Sequence, residues 1–424
     1  SAFVLFATAP VYAAGQTCTW NGSAGDYLFS SASNWSNCSG SVPTDSDDLL
    51  FDQWVGVPNS GSSNAINLTN DLSGIEFNNI TTTGIGSAGN YYVIDTATVN
   101  SGSVLSGSDA INIIVENLMS PGQITLNGAI IGTNVAAANL IVSGNSSVYG
   151  ATVRSMTIQS GSDLVGAVDA SGNFSFANLN DITIQNGAKL FVCGTSGFAS
   201  IDADIVFGGG TGANPSIELE PCMGSVGGSS IPSVGAEFKG EITLLSDATI
   251  NISNKRILMN NTLVANGHHL AVNTNGSSVI MGKGVLGDIA LTNGSRIAPG
   301  MSPGCLTSGN ISWVAGAVYS FEVGGLTACT QYDQISVVGT VNLGNGTLEA
   351  TPYGGFAPSV DNVFTIISND GTDAISGTFN NLTEGSQFTQ NGVTYRISYV
   401  GGDGNDVTLT VQNVPAVPDT GFAL

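Results

Sequence analysis

Apolar residues in the middle of the chain recur with period two and are interrupted by polar, glycine-containing corners. Aligned on those corners, LIVSGNSSV (140–148), MTIQSGSDL (156–164), ITIQNGAKL (182–190), IALTNGSRI (289–297) and VNLGNGTL (341–348) repeat one phrase, and INISNKRIL (250–258) and LAVNTNGSSV (270–279) are looser copies. Each runs apolar-polar-apolar, passes an Asn/Ser/Gly corner and returns to an apolar residue. The alternation puts Ile182, Ile184 and Leu190 on one face. Asn186-Gly187 between them permits the positive φ that a tight corner needs. The phrase therefore predicts strand, corner, strand, used either as a stack of hairpins or as one coil of a solenoid.

The spacing of the copies bears on that choice. Starts at 140, 156 and 182 are 16 and 26 residues apart, and those at 250, 270 and 289 are 20 and 19 apart. This is one copy per solenoid rung. A rung cannot bury its apolar face alone, but rungs stacked at about 4.8 Å share a continuous core and pair each other's backbone edges. The predicted fold is all-β, a parallel β-solenoid. A series of small β-sandwich domains is the competing arrangement, since it also places turn signals every 8–12 residues or so.

Composition sharpens this picture. The 424 residues contain 57 Gly, and only 9% are charged. Gly, Asn, Ser and Thr in place of Lys and Glu favour turns and strands over helices. The 8 Lys+Arg stand against 31 Asp+Glu, a net charge of −23, and Arg154 is the first basic residue from the N-terminus. A phosphate-tracking surface needs clustered cations, so nucleic acid is excluded as a partner. No interior run is long and apolar enough to cross a bilayer.

Six cysteines fall into sequence-local couples: Cys18 with Cys38, Cys193 with Cys222, and Cys305 with Cys329. None forms a CxxC and no histidine is near, so zinc has no ligand set. Disulfides in an oxidising compartment are the better reading. The connectivity stays open from sequence alone, but local staples suit an elongated fold.

Both ends read as address labels. SAFVLFATAPVYAA (1–14) fits the tail of a secretory signal, with Val11 and Ala13 at small-residue cleavage positions, or else an apolar strand that is kept. At the other end, Val417 with Pro418, Asp419, Thr420 and Gly421 resembles the LPxTG sorting signal of wall-anchored bacterial proteins; a Pro-rich linker with a turn describes it equally well. The expected organisation is 1–14 leader or strand, 15–60 N-terminal cap, 61–330 solenoid, 331–412 a terminal β-sandwich-like module, and 413–424 linker.

Three further stretches carry a family resemblance. TCTWNGSAGDYLFSSASNWSNCSGSVPTDSDDLLFD (17–52), with Trp20, Trp35, Pro43 and Asp47-Asp48, looks like the opening of autotransporter-passenger-like bacterial surface proteins. Residues 284–313 are similar to that group's L-x-P-G-x-S-P-G-x-L segment through Ile297, Pro299, Gly300, Ser302, Pro303 and Gly304. The stretch 332–411 is close to its terminal module. The resemblance implies a right-handed β-helix at the cell surface and no particular activity. No room after residue 411 is left for a translocating barrel, so the sorting-like tail is the expected route to the envelope.

Sites for chemistry are few. GGDGNDVTL (401–409) matches the calcium nonapeptide GGxGxDxUx except at Thr408, which makes Asp403 and Asp406 weak calcium candidates. A single copy leaves the coordination shell incomplete, and a glycine-rich hairpin turn explains the sequence as well. Asp45, Asp47, Asp48 and Asp52 form the densest carboxylate cluster, readable as a calcium site or as an acidic turn entering a strand. His268 and His269 are adjacent and would face opposite sides of a strand. Glu218 and Glu220 are the best carboxylate couple for a glycosidase, and the scattered cations offer a lyase no base in a recognisable motif. Sequons at Asn21, Asn34, Asn67, Asn145, Asn251, Asn293 and Asn345 allow glycosylation. No catalytic residue and no required cofactor is expected.

The functional expectation is an extracellular bacterial cell-surface protein with a structural role, self-associating into a layer or filament. The competing reading is an adhesin that binds glycans through an aromatic platform at Trp20, Trp35 and Trp54. A β-helical polysaccharide-degrading enzyme comes third.

Overall fold

The computed structural model describes residues 15–38, 42–53, 64–77, 79–85, 90–95, 97–99, 101, 103–106, 111–119, 123–127, 130–137, 139–143, 146–148, 151–167, 176–177, 179–193, 198–219, 235–371 and 373–414. The segment 1–14, the sorting-like motif 417–421, Trp54, Glu220 and Cys222 lie outside them, as do the side chains of Asp52 and Cys193. Among the described residues the regular elements are strands, with one 3-10 turn at Ala32–Asn34. They form two compact units, one reaching to Leu190 and one starting at Phe191.

In the first unit the strands Thr17–Trp20, Asp48–Gln53, Ile80–Ile85, Ser103–Ser106, Gln123–Asn127, Asn139–Ser143, Ser155–Ile158 and Asp181–Ile184 pair in parallel, each with the next. Their register lines up Cys18, Leu49, Ile80, Leu105, Leu126, Val142, Ile158 and Ile184 in one column. Every member is buried. Parallel pairing leaves no hairpin among these eight strands: the repeated phrases run from one strand through a corner into a strand of another sheet. ITIQNGAKL, for example, is divided between Asp181–Ile184 and Lys189–Cys193, with Gly187 at φ +83° in the corner.

The pairings Leu140↔Met156 and Met156↔Ile182 reproduce the 16- and 26-residue offsets of the sequence alignment. In the second unit the alignment is two residues out. Ile250 pairs with Val272 and Val272 with Ile289, while Leu270 pairs with Ala248. A slip of one would have turned the strand inside out; a slip of two keeps the same face buried.

The second unit carries two long parallel ladders. One aligns Ile217, Ile250, Val272, Ile289, Ile311 and Val341. The other aligns Ala236, Ile257, Ile280, Ile297, Tyr319 and Leu348. A third sheet starts parallel, Cys305–Ser308 with Gln334–Val337 and then Val363–Asn369. It finishes antiparallel through Asp406–Asn413, Val393–Gly401 and Gln387–Gln390.

The terminal strands are finished in specific ways. At the start of the first unit, Thr17–Trp20 pairs antiparallel with Trp35–Ser36 and the Cys18–Cys38 disulfide ties the two segments. Above this strand pack Trp20, Phe29, Trp35, Phe51 and Phe77, with the Trp20 and Trp35 rings 5.0 Å apart and edge-on. In the second unit the outer edge of Thr347–Pro352 is met by side chains. Gln390 Oε1 accepts the Ala350 N–H, Gln390 Nε2 donates to the Leu348 carbonyl at 3.2 Å, and Asn391 Nδ2 donates to the Ala350 carbonyl at 2.9 Å. An edge whose donors and acceptors are already used is a poor template for another strand.

Candidate functional site

The acidic cluster at the first unit's N-terminal end is built by a turn, Thr44–Asp47, that enters the strand Asp48–Gln53. Its carboxylates diverge. Asp45 Oδ1 accepts the Glu76 N–H at 3.0 Å, and Asp48 Oδ1 accepts the Asn79 N–H at 3.0 Å. Asp47, which is buried, accepts the Gln16 N–H on one oxygen and both the Thr44 N–H and hydroxyl on the other. Three neighbouring carboxylates thus pin three different backbone segments. Among the described residues no group of three or more His, Cys, Asp or Glu is placed to hold a metal ion.

Asp48 also begins a corner ladder. It accepts Asn79 Nδ2–H at 2.9 Å, and Asn79 Oδ1 accepts the Val104 N–H at 2.9 Å one rung further on. The second unit repeats the device: Asp288 Oδ1 accepts from Asn310 N at 2.8 Å, and Asn310 Oδ1 accepts from Thr340 N at 2.9 Å. A shallow groove of about 330 Å³ crosses the first of these ladders, lined by Thr17, Asp48, Leu50, Asn79, Thr81 and Val104. Asn79→Asp keeps the acceptor for Val104 but sets a second carboxylate against Asp48. It is expected to destabilise the protein by about 1–2 kcal/mol at pH 7. Thermal melts of variant and wild type at pH 7 check the difference.

The histidines do not act together: His268 Nδ1 is 3.6 Å from Asp247 and His269 Nδ1 is 3.7 Å from Asp288, on opposite neighbouring rungs. Glu218 is buried and accepts from Ser216 Oγ at 2.6 Å and Asn251 Nδ2 at 3.0 Å. Asn273 Nδ2 extends this row to Asn251 Oδ1 at 3.0 Å. Arg296 meets Glu349 at 2.6 Å and Lys239 meets Asp202 at 3.2 Å, partners too distant in sequence to be paired by inspection. Burial lowers the Lys255 pKa.

Two of the three tryptophans expected to form an aromatic platform are not on the surface, and Trp54 lies outside the described residues. Trp20 and Trp35 are 1% and 6% exposed, so neither offers a ring face to a ligand. Trp35 Nε1 donates to the Phe29 carbonyl at 2.9 Å.

The 401–406 segment is a tight hairpin turn between Val393–Gly401 and Asp406–Asn413, with Gly402 at φ +56° and Gly404 at φ +120°. A Cβ on Gly402 would fall 1.8 Å from Asp406 Oδ2, so only glycine fits there. Asp406 reaches back to accept the Asn369 N–H at 2.9 Å.

One residue not singled out in the sequence is Asp333, 1% exposed. Its two oxygens accept the Gly304 N–H at 2.8 Å and the Glu322 N–H at 2.9 Å. It therefore clasps the strand Val318–Val323 to the residue beside Cys305, whose disulfide with Cys329 closes the same corner. Burial pushes its pKa up to about 7, against the opposing pull of those two N–H groups.

These features define an all-β protein of stacked parallel ladders, tied by two disulfides among the described residues and carrying polar corner ladders. Among those residues no helix is long and apolar enough to cross a membrane. Neither the family models nor the curated proteins include a match to this chain.

Proposed function

We propose that the protein is a bacterial cell-surface protein with a structural role, a right-handed parallel β-helix that assembles into a surface layer or filament. The hand follows from the strong preference of parallel crossovers for right-handed connection. The observation that carries the reading is the run of eight in-register buried residues from Cys18 to Ile184, paired with carboxylates spent on backbone N–H groups. Side chains used in this way make a scaffold and leave little free for chemistry. The disulfides suit an oxidising, extracellular compartment.

The Gln390–Asn391 cap refines the mode of assembly. Strand addition of residues 1–14 to a second copy at Thr347–Pro352 would have to displace that cap, whereas lateral contacts between sheet faces need no open edge. A layer is accordingly favoured over a filament joined through that edge. Electron microscopy of the native surface material tests this: ordered two-dimensional arrays are expected, and dispersed single particles at native density would sink the proposal. Mass spectrometry of the same material tests the filament form, which fails if the mature chain begins at Ala14 or later.

A glycan-binding role is the second reading. The observation in its favour is the groove at Thr81 and Leu50, whose lining is uncharged apart from Asp48. Glycan-array binding that is lost in Leu50→Arg and Thr81→Arg would support it over a purely structural role.

A further inference from the structure

The junction of the loops 369–373 and 401–406 collects oxygen atoms that have no donors. Asn369 and Asn405 are 3% and 5% exposed. Asn369 Nδ2 donates to the Asp373 carbonyl at 2.9 Å, and Asn405 Nδ2 donates to the Gly371 carbonyl at 2.6 Å and the Asp373 carbonyl at 3.3 Å. These bonds fix which end of each amide is nitrogen. They leave Asn369 Oδ1 and Asn405 Oδ1 buried without a hydrogen-bond partner.

Asp406 lies beside them, 8% exposed, with Oδ1 accepting the Asn369 N–H at 2.9 Å. Two buried amide oxygens thus lack donors beside the Asp406 carboxylate, with the exposed Asp403 close in sequence. A site made only of oxygen acceptors suits a hard cation.

We propose that Asn369, Asn405, Asp406 and Asp403 form a binding site for a calcium-type divalent cation at the junction of the two loops. The two amides share the Asp373 carbonyl as an acceptor, which holds them in one place. The net negative charge of the chain favours cation entry. With only two carboxylates among the ligands the affinity belongs to the weak, extracellular class, a Kd on the order of 0.1–1 mM. Mg²⁺ dehydrates reluctantly and demands near-ideal octahedral geometry, so it is disfavoured relative to Ca²⁺.

Isothermal titration of the full chain with CaCl₂ and separately with MgCl₂, in 0.15 M NaCl at pH 7.5, tests the site. One saturable Ca²⁺ per chain is expected, with Mg²⁺ binding at least tenfold more weakly. Asp406→Asn should abolish binding. Asp403→Asn, a change at an exposed turn that leaves folding intact, should weaken it by fivefold or more. Circular dichroism melts of both variants establish that they are folded; if Asp406→Asn is not, the Asp403→Asn result decides. Absence of saturable Ca²⁺ binding up to 10 mM, equal affinity for Mg²⁺, or wild-type affinity in either folded variant overturns the proposal.

Discussion

Trp35→Ala is expected to destabilise the first unit by about 3–5 kcal/mol, the range for truncating a buried large aromatic. The side chain is 6% exposed, and its ring meets Trp20 at 5.0 Å and Phe29 at 5.1 Å, both edge-on. Each such pair contributes about 0.5–1.5 kcal/mol beyond its buried area. The change also removes the indole donor of the Phe29 carbonyl. Because Thr17–Trp20 and Asp48–Gln53 pair directly beneath this cluster, the damage should be greatest at this end. Hydrogen exchange is the measurement: amides of Thr17–Trp20 and Asp48–Gln53 should lose protection, while those of Val318–Val323 keep it. A uniform loss across both units would contradict the expectation.

The second large effect is a pH dependence set by Asp333. Its carboxyl titrates near 3.8 in the unfolded chain and near 7 in the folded one, because burial disfavours the charge. Between those values the folded state holds the proton that the unfolded state has released. The contribution of Asp333 to stability is therefore greatest below about pH 4, falls as pH rises toward 7, and levels off above it. A shift of this size corresponds to about 4 kcal/mol across the window. Asp333→Asn removes the titration and keeps one acceptor for a backbone N–H. Urea midpoints measured from pH 4 to 8 should slope downward in wild type and lose most of that slope in the variant. Parallel slopes would show that Asp333 stays ionised throughout.

The layer reading and the cation site are separable. Assembly rests on sheet faces and capped edges, whereas the cation site rests on two loops at the far side of the antiparallel hairpin. Either can fail without the other. If both hold, calcium at extracellular concentrations would be expected to rigidify the hairpin that also carries Gln390 and Asn391.

What could be read in the sequence was whatever is encoded locally. Alternation in DITI and KLFVC, with Asn-Gly between, specifies two strands and a corner without reference to anything distant. The same phrases even give the strand-pairing offsets in the first unit, Leu140 with Met156 and Met156 with Ile182. The cysteine couples were legible too. Cys18–Cys38 and Cys305–Cys329 bridge 20 and 24 residues, within one rung of chain.

The roles of polar residues were not legible. Asp45, Asp47 and Asp48 look like a metal cluster because they are adjacent, yet successive residues point in different directions and each finds a separate backbone partner. Trp20 and Trp35 read as a ligand platform because tryptophan is scarce, but both pack against Phe51, which arrives from the strand Asp48–Gln53. Asp333 gave no signal, since its bonds run to Gly304 and Glu322, which only the stacking brings near.

The sequence by itself determined that the chain is built of alternating strands with glycine corners, acidic and nearly free of cations. Period and corner chemistry are properties of neighbouring residues and survive without the rest of the molecule. Only the tertiary structure decided which edges are closed and which oxygens lack donors. Gln390 caps Ala350 across 40 residues, and Asn369 meets Asp406 across 37. Such pairings depend on how many rungs intervene and how each one turns, which no local pattern records.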